Sequence, residues 1–307
     1  MPEVIAVDRL AKNFGSFAAV KGVSFSVGKG EVFGILGPNG AGKTTTLECI
    51  EGLQKPSGGR ASILGIDTQR DTSKVKERIG VQLQASAYFD YLTLREILQL
   101  FGRFYPKCLP PDELLGKVNL QEKANTTVGR LSGGQKQRFT IAATLVNDPD
   151  VVFLDEPTTG LDPQARRSLW EFVQSIHREG RTVVLTTHYM EEAEFLCQRV
   201  AIMDKGEIVA LDTPTNLIRA LPIPYQVKVM CEQEIDEREL AKLDCVKAVR
   251  REEKDGACHL GSSDATRTLP ALMDWARRSG VRLAHLEVVP ANLEDVFLSI
   301  TGHELRE

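Results

Sequence analysis

An α/β fold is predicted: a mostly parallel sheet, an antiparallel β piece beside it and a smaller α+β domain after it. Three observations predict it. Short apolar runs read as buried parallel strands, as at Glu31–Leu36, Val151–Leu154 and Val183–Thr187. Segments with helical spacing alternate with these strands. After Leu221-Pro222-Ile223-Pro224 the order changes to β-α-β-β-α-β-α, which a small ferredoxin-like sandwich would give. The expected domains are therefore 1–220 and 221–307.

The elements follow in order. Val4–Val7 and Ala18–Val27 are rich in β-branched and aromatic residues and read as strands, with a turn at Gly28-Lys29-Gly30. Glu31–Leu36 is the first buried strand, and Thr44–Gly52 has helical spacing. Lys74–Ile79 reads as a short helix and Val81–Leu83 as a strand. Leu94–Phe104 and Asp112–Val118 read as helices, separated by Pro106, Pro110 and Pro111. Ser132 is placed to cap a helix running to Val146. Pro163–Arg178 has proline in its first turn and Gly180 just past its end. Met190–Cys197 is helical, and Val200–Met203 and Ile208–Leu211 form a hairpin around Asp204-Lys205-Gly206. Pro214–Ala220 closes the first domain. In the second, Tyr225–Met230, Val246–Arg251, Ala257–Leu260 and Val281–Val289 read as strands, with a turn at Asp255-Gly256. Glu237–Leu243, Thr268–Ser279 and Leu293–Thr301 read as helices.

Composition excludes several classes. The 307 residues are 42% hydrophobic and 26% charged, which argues against disorder. Lys plus Arg is 38 against 42 for Asp plus Glu, so no nucleic-acid partner is expected. No apolar run is long enough to span a membrane, and the N-terminus lacks a signal-peptide pattern. Cysteines 49, 108, 197, 231, 245 and 258 form no CxxC pair and read as reduced thiols of a cytoplasmic protein. Cys258-His259 is an isolated pair, too few ligands for zinc.

The chemistry sits in three segments. Gly37-Pro38-Asn39-Gly40-Ala41-Gly42-Lys43-Thr44 fits G-x-x-x-x-G-K-[ST] between a strand and a helix. Its backbone N–H groups and the helix N-terminus favour a phosphate. Lys43 would reach the β/γ-phosphates, and Thr44 would offer its hydroxyl to Mg²⁺. Val151–Leu154 then delivers Asp155 and Glu156 to a strand's carboxyl end, where ligands bind in open α/β sheets. Asp155 would hold Mg²⁺ and Glu156 would polarise the attacking water. Third, Leu131-Ser132-Gly133-Gly134-Gln135 opens a helix as a second anion nest. One chain has no use for two nests on one phosphate, unless the second serves another copy's nucleotide.

These motifs, in this order, closely resemble the nucleotide-binding subunits of ATP-binding cassette (ABC) transporters over residues 1 to about 220. The resemblance makes the fold a P-loop NTPase ABC cassette with an antiparallel β subdomain and a helical subdomain. It identifies Gly37–Thr45 as Walker A, Leu131–Gln135 as the signature and Val151–Asp155 as Walker B. It also implies a D-loop at Gly160-Leu161-Asp162-Pro163, a switch histidine at His188 and a Q-loop glutamine at Gln84, with Gln82 as rival. Phe14 maps to the adenine-stacking aromatic, where the family usually has Tyr.

The resemblance implies ATP and Mg²⁺ as cofactors. Glu156, His188, Gln84 and Lys43 would be catalytic. Thr44, Gln84 and Asp155 would serve the metal. Phe14, residues 37–45, Ser132, Gly133, Gly134, Gln135 and Asp162 would bind nucleotide, the last five across a head-to-tail dimer. That dimer would be homomeric or formed with a second cassette. Part of Ala85–Leu92 would face a membrane subunit. Pro290–Leu305 is similar to the tail of drug-resistance-type ABC-2 exporter ATPases, implying a separate ABC-2 permease and a place on the inner face of the cell membrane. The rival is a soluble ABC ATPase acting on ribosomes or DNA. Such proteins often carry two cassettes or long coiled coils, and this sequence has one P-loop, one signature and no heptad run.

Overall fold

The structure is a computed structural model that describes residues 2–82, 88–233, 235–252 and 257–302. The chain divides into two compact units, one up to Pro214 and one from Thr215. The division falls ahead of the expected 220/221 boundary, because the helix Pro214–Arg219 groups with the residues that follow it.

The first unit opens with β1 (Glu3–Phe14) and β2 (Phe17–Gly28), an antiparallel pair. Next come β3 (Val32–Leu36), α1 (Lys43–Ile50), β4 (Gly58–Ile63), β5 (Ile66–Asp67), α2 (Thr72–Lys76) and β6 (Ile79–Gln82). Three helices follow, α3 (Leu94–Gly102), α4 (Pro111–Lys117) and α5 (Gly133–Thr144). The unit ends with β7 (Val151–Asp155), α6 (Pro163–Arg178), β8 (Thr182–Thr187), α7 (Met190–Leu196) and the hairpin β9 (Arg199–Asp204) and β10 (Glu207–Asp212). Lys205 and Gly206 both have positive φ, as a two-residue hairpin turn of primed type requires.

Two sheets form from these strands. One is antiparallel with order β2-β1-β4-β5; the other has order β10-β9-β3-β8-β7-β6. In the second, β6, β7, β8, β3 and β9 run parallel, and β10 is antiparallel at the edge. Every residue of β3, β7 and β8 is buried, as strands covered on both faces require, and each carries an apolar run. The two sheets and α1 share one core, in which Phe25 stacks on Phe33 at 5.2 Å. Helices α3, α4 and α5 contact one another, burying Leu94, Ile97, Leu114, Leu115 and Phe139.

Strands β4 and β5 are not in the sequence reading. β4 begins Gly58-Gly59-Arg60, a poor strand sequence. Gly59 has φ +73°, and a Cβ there would sit 2.1 Å from the Arg9 carbonyl oxygen. The glycine is present for close backbone approach to a bulge in β1, which is a tertiary requirement.

The second unit starts with α8 (Pro214–Arg219) and continues as β11 (Tyr225–Cys231), α9 (Glu237–Leu240), β12 (Val246–Arg251), β13 (Cys258–Ser262), α10 (Ala265–Ser279), β14 (Leu283–Pro290) and α11 (Leu293–Thr301). Its antiparallel sheet has order β12-β13-β11-β14. Each β-α-β crossover leaves a slot that the other repeat's strand fills, which is the split arrangement of a ferredoxin-like sandwich. Val227, Val229, Leu260, Leu272 and Trp275 form its core. Cys258 points into that core, while His259 points away and meets Glu252 at 3.1 Å. Alternation along the strand therefore separates that pair, and among the described residues no group of three or more His, Cys, Asp or Glu could hold a metal. The turn expected at Asp255-Gly256 lies outside the described residues.

Candidate active site

Register across three neighbouring strands builds the site. Leu36 of β3 lies opposite Thr187 of β8, and Thr186 of β8 lies opposite Asp155 of β7. The residues that follow these strand ends are the Gly37 loop, Glu156 and His188. All three segments therefore leave the sheet along one carboxyl edge.

The loop after β3 is tightly held. Gly42 has φ +100°, and a Cβ on it would lie 2.5 Å from the Ala19 carbonyl oxygen. Gly42 is also the N-cap of α1 and carries no side chain to satisfy that helix's first turn. The turn's N–H groups and the positive end of the helix face the loop, where an anion is favoured. Lys43 is 4% exposed, and its Nζ donates to the carbonyls of Gly37 at 2.9 Å and Pro38 at 3.1 Å. It also lies 3.2 Å from Glu156 Oε1. Asn39 and Gly40 sit in the exposed part of the turn, Ala41 is buried, and Thr45 follows Thr44 in the first turn of α1.

Asp155 ends β7, and its Oδ1 accepts from Thr44 Oγ1 at 3.2 Å and from Thr186 Oγ1. Thr186 Oγ1 in turn accepts the backbone N–H of Glu156 at 2.9 Å. That bond holds Glu156 at φ +46°, a sparsely populated conformation for a residue with a side chain. The Glu156 carboxylate reaches Lys43 on one oxygen. On the other it meets Thr159 Oγ1 at 3.2 Å and His188 Nδ1 at 3.3 Å. The histidine approach falls short of an aligned hydrogen bond.

The two adjacent carboxyls are driven apart. Burial pushes both up. For Asp155 burial wins over the hydroxyls of Thr186 and Thr44, and the charge of Glu156 adds to it, so its carboxyl lies above its ordinary value. For Glu156 the ammonium of Lys43, then His188, outweigh burial and hold it below. Glu156 is thus a stable anion beside the place where a phosphate would sit.

The second nest is built as expected but elsewhere. Ser132 caps α5: its Oγ accepts Gln135 N–H at 3.3 Å, and Gln135 Oε1 accepts Ser132 N–H at 3.1 Å. The hydroxyl proton of Ser132 stays available for another acceptor. Asp162 caps α6 by accepting Ala165 N–H at 2.9 Å. Ser132, Gly133, Gly134, Gln135 and Asp162 line a cleft of about 350 Å³, and none of residues 37–45 lines it.

Phe14 lies at the end of β1, 47% exposed, with Lys12 Nζ 4.9 Å from its ring centroid. Gln84 lies outside the described residues. Its rival Gln82 is buried, and its Nε2 donates to the Asp155 carbonyl at 3.4 Å. Thr186 escaped the sequence reading. Gln137 donates through Nε2 to the Pro157 carbonyl at 2.6 Å and ties α5 to the loop after Glu156. The signal for Thr186 was its place one strand over from the carboxylates, which no linear motif records.

A family model described as ABC transporter matches residues 20–159. Along its full length the chain is 40% identical to "Nod factor export ATP-binding protein I" of Paraburkholderia xenovorans (strain LB400), with 100% of each chain covered. This chain belongs to the ABC transporter ATP-binding family. Another relative of this ABC cassette is "Linearmycin resistance ATP-binding protein LnrL" of Bacillus subtilis (strain 168), 36% identical over 99% of this chain and 100% of that one. A solved ATP-binding subunit of an ABC transporter aligns with TM-score 0.64 and 29% identity, covering 70% of this chain and 92% of its own. A bacterial ABC transporter cassette solved as a dimer aligns with TM-score 0.62 and 28% identity, over 68% and 98%. The ABC cassette binds ATP, and its chemistry is ATP hydrolysis coupled to transport.

Proposed function

We propose that this chain is the ATP-hydrolysing subunit of an ABC-2 type exporter. Two cassettes close head to tail on two ATP molecules and dock on a separate integral membrane permease at the inner face of the membrane. One observation carries the reading: the Ser132–Gly134 nest lines a cleft that none of residues 37–45, the Gly42–Lys43 nest among them, lines. A nucleotide held by the Gly42–Lys43 nest is completed by the Ser132–Gly134 nest only if that one belongs to another copy.

Mg²⁺ fits the donors present. Thr44 and Asp155 offer a hydroxyl and a carboxylate 3.2 Å apart, hard oxygens of the kind Mg²⁺ takes when phosphates supply the rest. When bound, the ion neutralises charge on the β- and γ-oxygens. The protein's own residues do the remainder. Lys43 and the P-loop N–H groups hold the phosphates, and Phe14 stacks on adenine. Glu156 accepts the proton of the attacking water; Gln84, which lies outside the described residues, would serve the metal as the family resemblance implies. His188 contacts the γ-phosphate. Ser132, Gly134 and Asp162 complete the site from the facing copy.

Export is supported by the relatives, one named for Nod factor export and one for linearmycin resistance. Docking on a membrane subunit is supported by exposed aromatics that follow Gln84 in the chain, Phe89 at 57% and Tyr91 at 94% exposed, and by Phe104 after α3 at 72%. No helix among the described residues is long and apolar enough to cross a membrane.

Complementation tests the shared site. Lys43→Ala and Ser132→Asp each remove activity alone. In a mixture, half the dimers carry one intact composite site, so about a quarter of wild-type activity returns. A mixture as inactive as its parts would overturn the shared site.

A further inference from the structure

Helix α6 is capped by Asp162, and its first two turns grip the residues after β8. Arg166 N–H donates to the Asp162 carbonyl at 2.9 Å, so Arg166 stands directly above the D-loop aspartate. Its guanidinium carbon lies 4.2 Å from the Tyr189 ring centroid. The Tyr189 ring lies 4.1 Å from the His188 ring, tilted by 42°. His188 Nδ1 is 3.3 Å from Glu156 Oε2. The Tyr189 ring therefore contacts both the Arg166 guanidinium and the His188 imidazole.

The turn beneath is fixed as well. Tyr189 N–H donates to Thr187 Oγ1 at 2.9 Å, which sets the chain direction as it leaves β8. One turn along α6, Trp170 Nε1 donates to Glu192 Oε1 at 3.0 Å. Glu192 is fully buried in the first turn of α7. Burial holds its carboxyl above the ordinary value against the pull of its hydrogen bonds and, last, the charge of Arg166. Arg166 and Trp170 thus bind the start of α7 at two points, and Phe195 covers Trp170 with ring centroids 5.1 Å apart.

We propose that Arg166 and Tyr189 are positioning residues that clamp His188 against Glu156 and tie the switch histidine to the helix that begins at Asp162. This rests on the roles proposed above for His188 and Asp162. Neither clamp residue needs to touch nucleotide. The face of an aromatic ring attracts a cation, so Arg166 holds the Tyr189 ring, and the ring limits how far the imidazole can swing. Since Asp162 faces the second copy, a shift of α6 on dimer closure moves His188 relative to Glu156. Completion of the site by one copy then sets the catalytic geometry in the other.

The test compares ring, charge and histidine variants of the full chain by steady-state ATP hydrolysis. Tyr189→Leu and Arg166→Met should each lower kcat about tenfold while leaving the KM for ATP within about twofold, since an interaction realised on the way to the transition state is lost. Tyr189→Phe keeps the ring and should restore near wild-type kcat. The clamp is overturned if Tyr189→Leu and Arg166→Met keep wild-type kcat. It is equally overturned if they raise KM without lowering kcat, or if Tyr189→Phe is as impaired as Tyr189→Leu. His188→Ala separates the layers. If it leaves kcat intact, the role of the histidine fails and the clamp with it; if it alone lowers kcat, only the clamp fails.

Discussion

At Thr186 a single hydroxyl serves two motif residues, donating to Asp155 and accepting from the backbone of Glu156. It explains how two adjacent carboxyls take different roles, one turned to Thr44 and one to Lys43. A third acid lies close by. Glu51 follows α1, is 1% exposed, and its Oε1 has no hydrogen-bond partner among the described residues. Burial first, then the charges of Asp155 and Glu48, push its carboxyl up from 4.5 to about 8. Between these values the native chain keeps a proton that the unfolded chain has lost. The folded state therefore binds more protons, and stability falls as pH rises through that window. Glu51→Gln removes the titration. Its melting temperature should match wild type at about pH 5 and exceed it at about pH 8.5. A gap that is the same at both pH values would contradict the assignment.

Elements that carry their own punctuation were legible in the sequence. Helix α6 runs from Pro163 to Arg178 as read, because Asp162 caps it, proline starts it and glycine follows it. The same holds for α11, capped by Asn292 and stopped by Gly302. The three motif segments were legible because phosphate chemistry demands fixed spacing. What stayed hidden depends on tertiary placement: β4, whose glycines answer a bulge in β1; Thr186, set by register; and the Arg166–Tyr189 contact between helices. Ser132 shows how an element and a site share one residue. As the N-cap of α5 it accepts the Gln135 N–H, a role that aspartate fills equally well. Ser132→Asp should therefore leave the melting temperature near wild type, whereas Ser132→Ala should cost the fold about 1 kcal/mol. Yet Ser132→Asp sets a negative charge against a phosphate, so ATP hydrolysis should fall at least about a hundredfold. Thermal melting and ATPase assays on the two variants check this. Aspartate that keeps activity would remove Ser132 from the phosphate's surroundings.

On the scale of the whole molecule, the first unit carries all the chemistry found, and the second buries its own core around an antiparallel sheet without a described catalytic cluster. The proposed cycle therefore has to be read in the association of copies. Closure needs the nucleotide as a bridge, and opening needs the bridge cut. Glu156 is the proposed base, and its carboxyl is held below the ordinary value by Lys43 and then His188 despite burial. Glu156→Gln keeps the size of the side chain and removes the base. ATP should still bind, turnover should fall by on the order of a hundredfold or more, and the closed form should accumulate. Light scattering with ATP and Mg²⁺ should then read twice the 33.9 kDa of one chain, while the wild type returns to single chains as ATP is consumed. A variant that binds ATP and stays at one-chain mass would show that ATP does not join two copies. A variant that hydrolyses at the wild-type rate would show that another group is the base.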